Sequence, residues 1–419
     1  MKNEVLSTNL HPLILNSYRF QSPYVPSIFS YYADVCLPSS SNYVKCNGTD
    51  LTAYQAYKKL IGESIERYSS FTFNLSELCY GSSTDLSSIS LNPVALNKFQ
   101  FFSHDQYNQV DFPFLRPSTN TKLFWKKSRQ YQIRNGHLKY SSCYIPAELI
   151  YLDFSEYKLH IPLSTGTACH ESFESAAING LLEVVERDAF MLTWKRKLQV
   201  QEIDSFTVPD LRVVNLTREL NQHEFEIHIF DITQDNRIPV ALALAIGHNG
   251  LPKLSVATAA AFSLCNAIYK SVLELICVIN WGISRIPILR SGGGFQEALA
   301  SHGETYLKEF SRQQISFLFV NPIKKFSVVE AIHPPQNASL YSLIETLQNH
   351  NCSIYITDLT PKSIRDLGYF VCKSTVPELL PLDINHEYQY NGLKRLHLPP
   401  HAFPYKGTAK INNQIHPFV

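Results

Sequence analysis

Two glutamates and an arginine stand at helical spacing in an otherwise apolar segment of this chain, LLEVVERDAFMLTW. They are Glu183, Glu186 and Arg187. On a helix, positions i, i+3 and i+4 share one face with Cβ atoms about 5–6 Å apart, so the two carboxylates repel each other by a few tenths of a kcal/mol. A divalent metal ion between them would remove this repulsion. The spacing therefore indicates a metal-binding helix face.

The same triad occurs earlier in the chain, in LIGESIERYSS, as Glu63, Glu66 and Arg67. Ala56 and Ala176 each stand seven residues before the first glutamate of a triad, two turns away on the same helical face. The repetition predicts that both segments are copies of one helical unit.

A third segment, SLCNAIYKSVLELICVIN, carries half of this pattern. Ala267 lies seven residues before Glu274, but Cys277 occupies the position of the second carboxylate. We interpret the three segments as three copies of one unit, with a spacing too long and irregular for a solenoid.

A solvated helix face with an intrahelical ion pair would also explain a single Glu-x-x-Glu-Arg motif. Two copies with matching alanines favour a binding site instead. The side chains around Glu183 are apolar, and they comprise Leu181, Leu182, Val184, Val185, Ala189 and Phe190. Carboxylates in such surroundings need a cation or hydrogen bonds to stay ionised.

Four converging carboxylates are too negative to bind a nucleotide directly, but they suit Mg²⁺ ions that bridge to its phosphates. Arg67 or Arg187 would then neutralise phosphoryl charge. The small-residue loop STGTACHESFES before the second helix has backbone N–H groups that can hold an anionic phosphate. The predicted metal ligands are Glu63, Glu66, Glu183 and Glu186.

Composition narrows the class of protein. The chain has 419 residues with 37 basic and 36 acidic side chains. Its formal net charge is only +1, which gives no indication of a nucleic-acid or anionic-membrane partner. Its nine cysteines include no C-x-x-C motif, which disfavours a disulfide framework or zinc ribbon. The first 20 residues fail as a signal peptide, and no window approaches 18 uncharged apolar residues. We expect a soluble cytoplasmic protein with no nucleic-acid or membrane partner.

Strands alternate with helices along much of the chain. FEIHIFDITQDNRIPVALALAI reads as two strands around a polar turn, and a similar phrase recurs at CSIYITDLT. This alternation predicts an α/β (α+β) fold in which the triad helices pack on mixed sheets. We predict an irregular N-terminal extension over residues 1–44, one domain over 45–395, and a proline-containing tail over 396–419.

Three separate motifs resemble those of YcaO-domain enzymes, in the same order along the chain. STGTACHESFESAAINGLLEVVERDAFMLTW resembles the central family motif, GESIERYSS the first Glu-x-x-Glu-Arg motif, and VPELLPLDINHEYQYNGLKR the C-terminal one. The resemblance covers residues 45 to 395. It implies a YcaO fold of repeated helix and sheet units around a Mg-ATP site without a Walker A loop. The residues that it places at ATP are Glu63, Glu66, Arg67, Ser164, Thr165, Gly166, Glu183, Glu186, Arg187 and Glu274, and we assign the catalytic roles to Glu183, Glu186 and Arg187.

The resemblance also implies ATP-dependent activation of a peptide amide. In the cyclodehydratases of this family, a Cys, Ser or Thr side chain attacks the preceding carbonyl, the oxygen is phosphorylated, and loss of phosphate leaves an azoline ring. The standalone cyclodehydratases of thiazole/oxazole-modified peptide biosynthesis are most similar to this chain. A thioamide-forming enzyme of the same family and a non-catalytic scaffold subunit remain alternatives.

The chain also departs from the family pattern. Gly48, Thr49 and Asp50 stand where the family often has a lysine, and Cys277 stands where a glutamine is common. The end of the chain, with PPHAFP at 399–404 and a terminal HPFV, is similar to the proline-rich ends of azoline-forming members. Cys169 and His170 invite a catalytic reading, although a small buried cysteine and a turn histidine are simpler interpretations.

The resemblance further implies partners. We expect a ribosomally made precursor peptide, a separate E1-like protein with a leader-recognition (RRE) domain, a flavin dehydrogenase in the same complex, and a homodimer. The chain is shorter than cyclodehydratases that carry a fused leader-binding domain, which is why a separate partner is expected.

Overall fold

The computed structural model describes residues 13–38, 43–154, 158–249, 252–290, 298–326 and 338–418. The strands are β1 (Ile14–Gln21), β2 (Phe29–Cys36), β3 (Tyr43–Asp50), β4 (Cys79–Gly81), β5 (Leu123–Arg134), β6 (His137–Pro146), β7 (Thr167–His170), β8 (Gln201–Asp204), β9 (Phe225–Asp231), β10 (Val240–Gly247), β11 (Leu254–Ala260), β12 (Lys324–Lys325), β13 (Ile354–Asp358) and β14 (Phe370–Thr375). The helices are α1 (Ala53–Ser70), α2 (Ser83–Ser88), α3 (His104–Tyr107), α4 (Phe173–Arg196), α5 (Leu211–Gln222), α6 (Leu264–Arg290), α7 (Ala298–Lys308), α8 (Leu340–Asn349) and α9 (Lys362–Asp366).

These elements form an α+β fold with three sheets. The first has the order β1-β2-β3, the second β11-β10-β9-β8-β12, and the third β4-β5-β13-β14-β7 with β6 paired to β5. Among the strands named above, all pairings are antiparallel except that of β12 with β8. The predicted fold class is confirmed, as are the strands at Phe225–Asp231, Val240–Gly247 and Ile354–Asp358.

The first sheet corrects the prediction of an irregular N-terminal extension. Ile14–Gln21 and Phe29–Cys36 are full strands, and β3 continues into the region that we assigned to the main domain. β1 shows no alternation of buried and exposed residues because most of its side chains are exposed on both faces. Period-two patterning, the main sequence signal for a strand, is therefore absent there. Residues 1–12 and 39–42 lie outside the described part of the chain.

Three strand–helix units repeat in the fold, as the spacing predicts. β3 leads into α1, β7 into α4 and β11 into α6. The helix starts are capped by the side chains of Thr52, Ser172 and Ser263, which accept from the backbone N–H three residues later. The alanine four residues after each cap donates to the cap carbonyl at 3.0 Å and has no exposed surface, and these alanines are Ala56, Ala176 and Ala267.

The repeat places one glutamate in the same position of each helix. Glu63, Glu183 and Glu274 each stand eleven residues after the cap of their helix. Small residues at the alanine position let the preceding strand cross close to the helix. The three predicted copies of the helical unit are thus present in the backbone structure.

The second sheet forms much of the core. Every residue of β10 and β11 is buried, because α4 contacts them as well as α6. β10 reads VALALAIG, and its small and branched side chains suit a strand that is covered on both faces.

Within α6, the segment Leu264–Ile286 is long and apolar enough to span a membrane by length and composition, with a mean hydropathy of 1.3. The share of its most apolar window that is buried inside the protein is 61%. Ala267, Ile268, Val272 and Ile276 of this segment belong to the core that packs against the second sheet. The segment is therefore a helix of the protein core.

All nine cysteines are free thiols in the structure. Four of the cysteines are buried, at positions Cys46, Cys143, Cys277 and Cys372.

Candidate functional site

A cavity of about 560 Å³ opens where α1, α4 and α6 converge, and we call it the carboxylate cavity. Five glutamates and Arg67 line it, and all of these glutamates except Glu171 belong to the repeated helices. Its volume lies within the range of about 300–1,000 Å³ that small-molecule sites occupy. The other four carboxylates come from all three repeated helices, namely Glu63, Glu66, Glu183 and Glu274.

The first glutamate of each triad is held in the same way. Glu63 Oε2 accepts from the Asn47 backbone N–H at 2.8 Å, and Glu183 Oε2 accepts from the Gly166 backbone N–H at 3.0 Å. The other oxygen faces the arginine four residues later, at 3.7 Å for Arg67 and 3.3 Å for Arg187. A backbone donor and a guanidinium thus fix one rotamer of each carboxylate.

Close backbone packing makes these contacts possible. Gly166 has φ +86, and a Cβ there would lie 2.1 Å from the Ser374 carbonyl oxygen. Gly180 of α4 lets the Gly166 carbonyl approach, since a Cβ at Gly180 would lie 2.5 Å from that oxygen. In the first unit, a Cβ at Gly48 would lie 2.1 Å from the Ala56 carbonyl oxygen. Glycine is required at both crossings, because any side chain would push the strand or loop away from its helix.

Two of the carboxylates have no hydrogen-bond partner among the residues that the structure describes. They are Glu66 and Glu274, and both face the cavity. Removal from water raises the pKa of Glu66 to about 8; Arg67 opposes this shift, and the charges of Glu183 and Glu63 add to it. Removal from bulk water and the charge of Glu63 likewise raise the pKa of Glu274. Cationic side chains influence both groups, Arg67 for Glu66 and Lys59 for Glu274, but neither carboxylate forms an ion pair within the described residues.

The chemistry of this set fits Mg²⁺ with a nucleotide. Within the described ranges, no three His, Cys, Asp or Glu side chains already stand close enough to hold an ion. Mg²⁺ in nucleotide sites usually takes one or two carboxylates and completes its shell with phosphate oxygens and water. Arg67 also has an unsatisfied donor, because its buried Nε makes no hydrogen bond within the described residues. An anion with its metal ion would satisfy both the free carboxylates and this donor.

Glu186 and Arg187 are not among the described residues that line the carboxylate cavity. Thr258 Oγ1 donates to Glu186 Oε1 at 2.7 Å, and the Ala260 backbone N–H donates to Oε2 at 3.3 Å. Arg187 bridges Glu186 and Glu183. Burial raises the pKa of Glu186, while Arg187 and the Thr258 hydroxyl oppose the shift. The predicted role of Glu186 as a metal ligand stays a prediction.

The Ser164–Gly166 loop differs from the phosphate-binding loop that the sequence predicts. Its Gly166 N–H is occupied by Glu183, and Ser164 accepts from the Thr167 backbone N–H at 2.9 Å. Thr165 lines a second, smaller cavity. The predicted phosphate contact of this loop stays a prediction.

One basic residue at the carboxylate cavity, Lys59, escaped sequence reasoning. Lys59 stands one turn before Glu63 and donates to the Thr49 carbonyl at 3.0 Å while pairing with Asp50 at 2.9 Å. Its i−4 spacing from Glu63 was a usable signal. His170 and Cys169 line the same cavity, and burial raises the pKa of the Cys169 thiol, so this thiol is not activated as a nucleophile.

The C-terminal tail is docked along α4. The Trp194 indole donates to the Gln414 carbonyl at 3.0 Å, and the Tyr306 hydroxyl donates to the Ile415 carbonyl at 2.5 Å. Phe418 is 6% exposed and packs on Phe190, with ring centroids 5.0 Å apart. The tail is therefore fixed next to the second triad.

Comparison with known proteins identifies the family to which the chain belongs. The model of the YcaO family, described as a cyclodehydratase that binds ATP and Mg²⁺, matches residues 47–380. No curated protein matches the sequence.

Solved structures share the fold at low sequence identity. A heterocyclase in complex with substrate and cofactor is 18% identical with a TM-score of 0.77; the alignment covers 99% of this chain but 57% of the heterocyclase. YcaO from Methanopyrus kandleri, bound with AMPPCP and Mg²⁺, is 14% identical with a TM-score of 0.65, covering 93% of this chain and 94% of that one. The E. coli microcin synthetase McbBCD complex gives 17% identity and a TM-score of 0.64, covering 96% of each chain.

Proposed function

The chain belongs to the YcaO family, and we propose that it is an ATP-dependent cyclodehydratase that forms thiazoline or oxazoline rings at Cys, Ser or Thr residues of a ribosomally made precursor peptide. Its family is one that binds ATP and Mg²⁺. The single observation that carries the proposal is the convergence of carboxylates from three repeated helices on one cavity, with two of them unpartnered.

Different residues at this site have different roles toward the metal ion and the phosphate groups. Glu66 and Glu274 would hold Mg²⁺ most directly, because no other group competes for their oxygens among the described residues. Glu63 and Glu183 complete the carboxylate set, each oriented by a backbone N–H. Arg67, whose buried Nε makes no hydrogen bond within the described residues, would neutralise phosphate charge.

Glu186 remains the fourth glutamate of the predicted set. Both of its oxygens are engaged by β11 and by Arg187, so it must change partners to bind the metal directly. Arg187 holds the two glutamates of its triad together and neutralises charge that develops beside Glu183.

Bound Mg-ATP supplies the phosphoryl group that turns a poor leaving group, the amide oxygen, into a good one. The protein binds and orients the triphosphate and keeps bulk water from it. These roles are typical of enzymes that catalyse phosphoryl transfer, where positioning and charge stabilisation provide most of the rate enhancement.

We also propose partners and a location. A precursor peptide is the second substrate, and a separate E1-like protein with an RRE domain presents its leader. A flavin dehydrogenase shares the complex, and the chain forms a homodimer. Nine free thiols suit the reducing cytoplasm.

The test is a reconstitution with the precursor, the leader-binding partner, Mg²⁺ and ATP. Mass spectrometry should show the loss of one water per modified residue, and a phosphate assay should show one phosphate released per ring. Glu66→Gln should abolish both readouts, while Glu345→Gln, on the exposed side of α8, should change neither. An oxygen-to-sulfur exchange that requires added sulfide would favour the thioamide enzyme. The absence of any reaction would favour the scaffold subunit.

A further inference from the structure

The hairpin formed by β5 and β6 concentrates positive charge. It contains no Asp or Glu but five Lys or Arg side chains, although the whole chain has a formal net charge of only +1. These five are Lys126, Lys127, Arg129, Arg134 and Lys139. Within the described residues, Lys126 is the one that forms an ion pair, with Glu77 at 3.0 Å. Lys127, Arg134 and Lys139 are exposed, so the hairpin presents uncompensated cations to solvent.

The turn of this hairpin determines which backbone groups of β6 face outward. Arg134 pairs with His137 across a two-residue loop, in which Asn135 has φ 53 and Gly136 has φ 72. Asn-Gly in this left-handed conformation forms a type I′ turn, whose flanking residues exchange hydrogen bonds. Hydrogen-bonded and non-hydrogen-bonded pairs alternate along an antiparallel ladder. The outward N–H and C=O groups of β6 therefore belong to Leu138, Tyr140, Ser142 and Tyr144.

One end of this outward edge is already occupied. The Tyr144 N–H donates to the Asn92 carbonyl at 2.9 Å, and the Asn92 side chain donates to the Ser142 carbonyl at 3.3 Å. These bonds confirm which residues of β6 face outward. Beyond them, the outward groups of Leu138 and Tyr140 have no hydrogen-bond partner among the described residues. We call these two N–H and two C=O groups the open edge of β6.

The opposite edge of the hairpin is closed near its tip. β13 pairs with β5 from Arg129 to Tyr131. Next to it, the Gln348 side chain of α8 accepts from the Ile133 N–H at 2.7 Å and donates to the Ile133 carbonyl at 3.3 Å. The tip of the hairpin is thus fixed by α8 on one side, while the other side can accept a further strand.

The charge of the hairpin restricts what this strand can be. Two copies of the same edge would bring Lys139 and its neighbours together, and proteins use such like charges to prevent edge-to-edge association. An extended segment with acidic side chains would be attracted instead. A nucleic acid is also negative, but it cannot continue a β-ladder. The open backbone groups together with the cations therefore favour an acidic peptide, bound by strand addition.

Aromatic side chains connect the hairpin to the helix of the second triad. The guanidinium carbon of Arg129 lies 4.8 Å from the centre of the Tyr140 ring and 5.3 Å from that of Phe173. Tyr140 is 59% exposed. Phe173 is the first residue of α4, the helix that carries Glu183. Arg129 thus links the open edge to the helix that lines the carboxylate cavity.

We propose that the open edge of β6 binds an acidic segment of the precursor peptide as an added β-strand. This inference rests on the proposed cyclodehydratase function and identifies a second surface for the same substrate, outside the carboxylate cavity. The peptide backbone pairs with Leu138 and Tyr140. Its acidic side chains are attracted by Lys127, Arg134 and Lys139.

The order of the third sheet sets the distance between this surface and the carboxylate cavity. Four strand spacings separate β6 from β7, in the order β6-β5-β13-β14-β7. At about 4.8 Å for each spacing, this is about 19 Å. β7 borders the cavity through Thr167, Cys169 and His170. An extended peptide rises about 3.3 Å per residue, so about six residues or more must separate the acidic segment from the residue that is cyclised.

The first experiment uses the full chain and a short fluorescent peptide of alternating Glu and Val. Valine favours a strand, and alternation places all the glutamates on one face. Fluorescence anisotropy should show binding that weakens as salt rises, and a peptide of alternating Lys and Val should not bind. Methylation of alternate backbone nitrogens keeps the charge but removes donors, and it should weaken binding by about tenfold or more.

A single-stranded oligothymidylate serves as a polyanion without a peptide backbone. Equal affinity for the methylated peptide or for the oligothymidylate would overturn the inference, because charge alone would then explain binding. The absence of binding to the Glu–Val peptide would overturn it as well.

A pair of variants at one position tests the backbone contact. Tyr140→Pro removes an outward N–H but no hydrogen bond between β5 and β6, and proline is tolerated on an edge strand in this orientation. Tyr140→Ala is the matched control, since it also removes the ring but keeps the N–H. The Pro variant should bind the Glu–Val peptide about tenfold more weakly than the Ala variant, with the same circular dichroism spectrum. Equal affinities would contradict strand addition.

Charge reversal tests the cations independently of the backbone. Lys127→Glu and Lys139→Glu should each weaken binding of the Glu–Val peptide by about fivefold or more. Lys325→Glu, at an exposed lysine of β12 in the second sheet, is the control and should change nothing. In the reconstituted reaction, the two hairpin reversals should raise KM for the precursor by a larger factor than they lower kcat.

Unchanged peptide affinity and unchanged KM in both hairpin variants would overturn the inference while leaving the cyclodehydratase proposal intact. A wild-type protein that binds the Glu–Val peptide but modifies no precursor would overturn the proposed function instead. The two failures are therefore distinguishable.

Discussion

Arg187 and Phe418 are in contact, with the guanidinium carbon 4.4 Å from the centre of the phenyl ring. Arg187 is also the residue that bridges the two glutamates of the second triad. A cation–π contact of this kind contributes about 0.5–2 kcal/mol. The end of the chain therefore helps to hold the arginine beside the carboxylate cavity.

This contact predicts the effect of shortening the chain. Deletion of residues 415–419 removes Phe418 and frees Arg187 to move, so ring formation should fall much more than the affinity for ATP. Calorimetry and a cyclisation assay on the same truncated protein provide the two numbers. Unchanged ring formation would show that the tail has no role, whereas joint loss with a lowered melting temperature would indicate misfolding.

Replacement of Glu186 by Gln should abolish ATP turnover without unfolding the protein. The amide keeps the size of the side chain but loses the charge that pairs with Arg187 and that the metal set requires. A phosphate-release assay measures turnover, and circular dichroism reports on the fold. Undiminished turnover would contradict the role that the sequence predicts for Glu186.

The raised pKa of Glu66 predicts that Mg²⁺ binds more tightly as pH rises. At neutral pH the Glu66 carboxyl, with its pKa of about 8, is largely protonated in the free protein. It must lose this proton when the metal ion binds. The apparent affinity for Mg²⁺ should therefore increase by about tenfold per pH unit up to about pH 8 and then level off. Calorimetry across this range, with Glu66→Gln as the comparison, tests the slope. Equal pH dependence in both proteins would contradict the assignment.

The same shift affects the stability of the metal-free protein. The pKa of Glu66 in the folded state, about 8, exceeds its ordinary value of 4.5. Its contribution to stability is then fully present below about pH 4.5 and lost as pH rises through about 8. Added Mg²⁺ and ATP should remove this loss in thermal melts. A melting temperature that is indifferent to Glu66→Gln at high pH would speak against it.

A buried ion pair holds α4 to the C-terminal segment. Arg395 Nε donates to Asp188 Oδ1 at 2.7 Å, and its NH2 donates to Asp235 Oδ1 at 2.6 Å. Asp188 has no exposed surface, so Arg395→Met leaves an uncompensated charge and should destabilise the protein by about 3–5 kcal/mol. Arg365→Met, at an ion pair with Asp358 whose arginine is 44% exposed, should cost at most about 1 kcal/mol. Denaturant melts compare the two, and equal losses would contradict this account.

The repeated triads could be found in the sequence because their signal is local. Helical spacing alone placed Glu63, Glu66 and Glu183 on helix faces that could bind a metal ion, and the alanine seven residues before Glu63 and before Glu183 marked the repeat. Glu274 was found by the same spacing. All four line one cavity in the structure.

Contacts between distant segments could not be predicted in this way. The donors to Glu186 come from Thr258 and Ala260, which lie on a strand some 70 residues later in the chain. His160 and Lys373 both line the second, smaller cavity, although they lie 213 residues apart in the sequence (373 minus 160). Neither has a motif or period around it, so only the folded chain brings them together.

The central claim is that carboxylates from three repeated helices bind Mg²⁺ and ATP in one cavity. The most direct measurement is isothermal titration of the protein with AMPPCP, with Mg²⁺ and with EDTA, for the wild type, Glu66→Gln and Glu274→Gln. We predict binding that requires Mg²⁺ in the wild type and is lost in both variants, each of which should keep the wild-type fold by circular dichroism. Mg²⁺-dependent binding of equal affinity in all three proteins would contradict the claim.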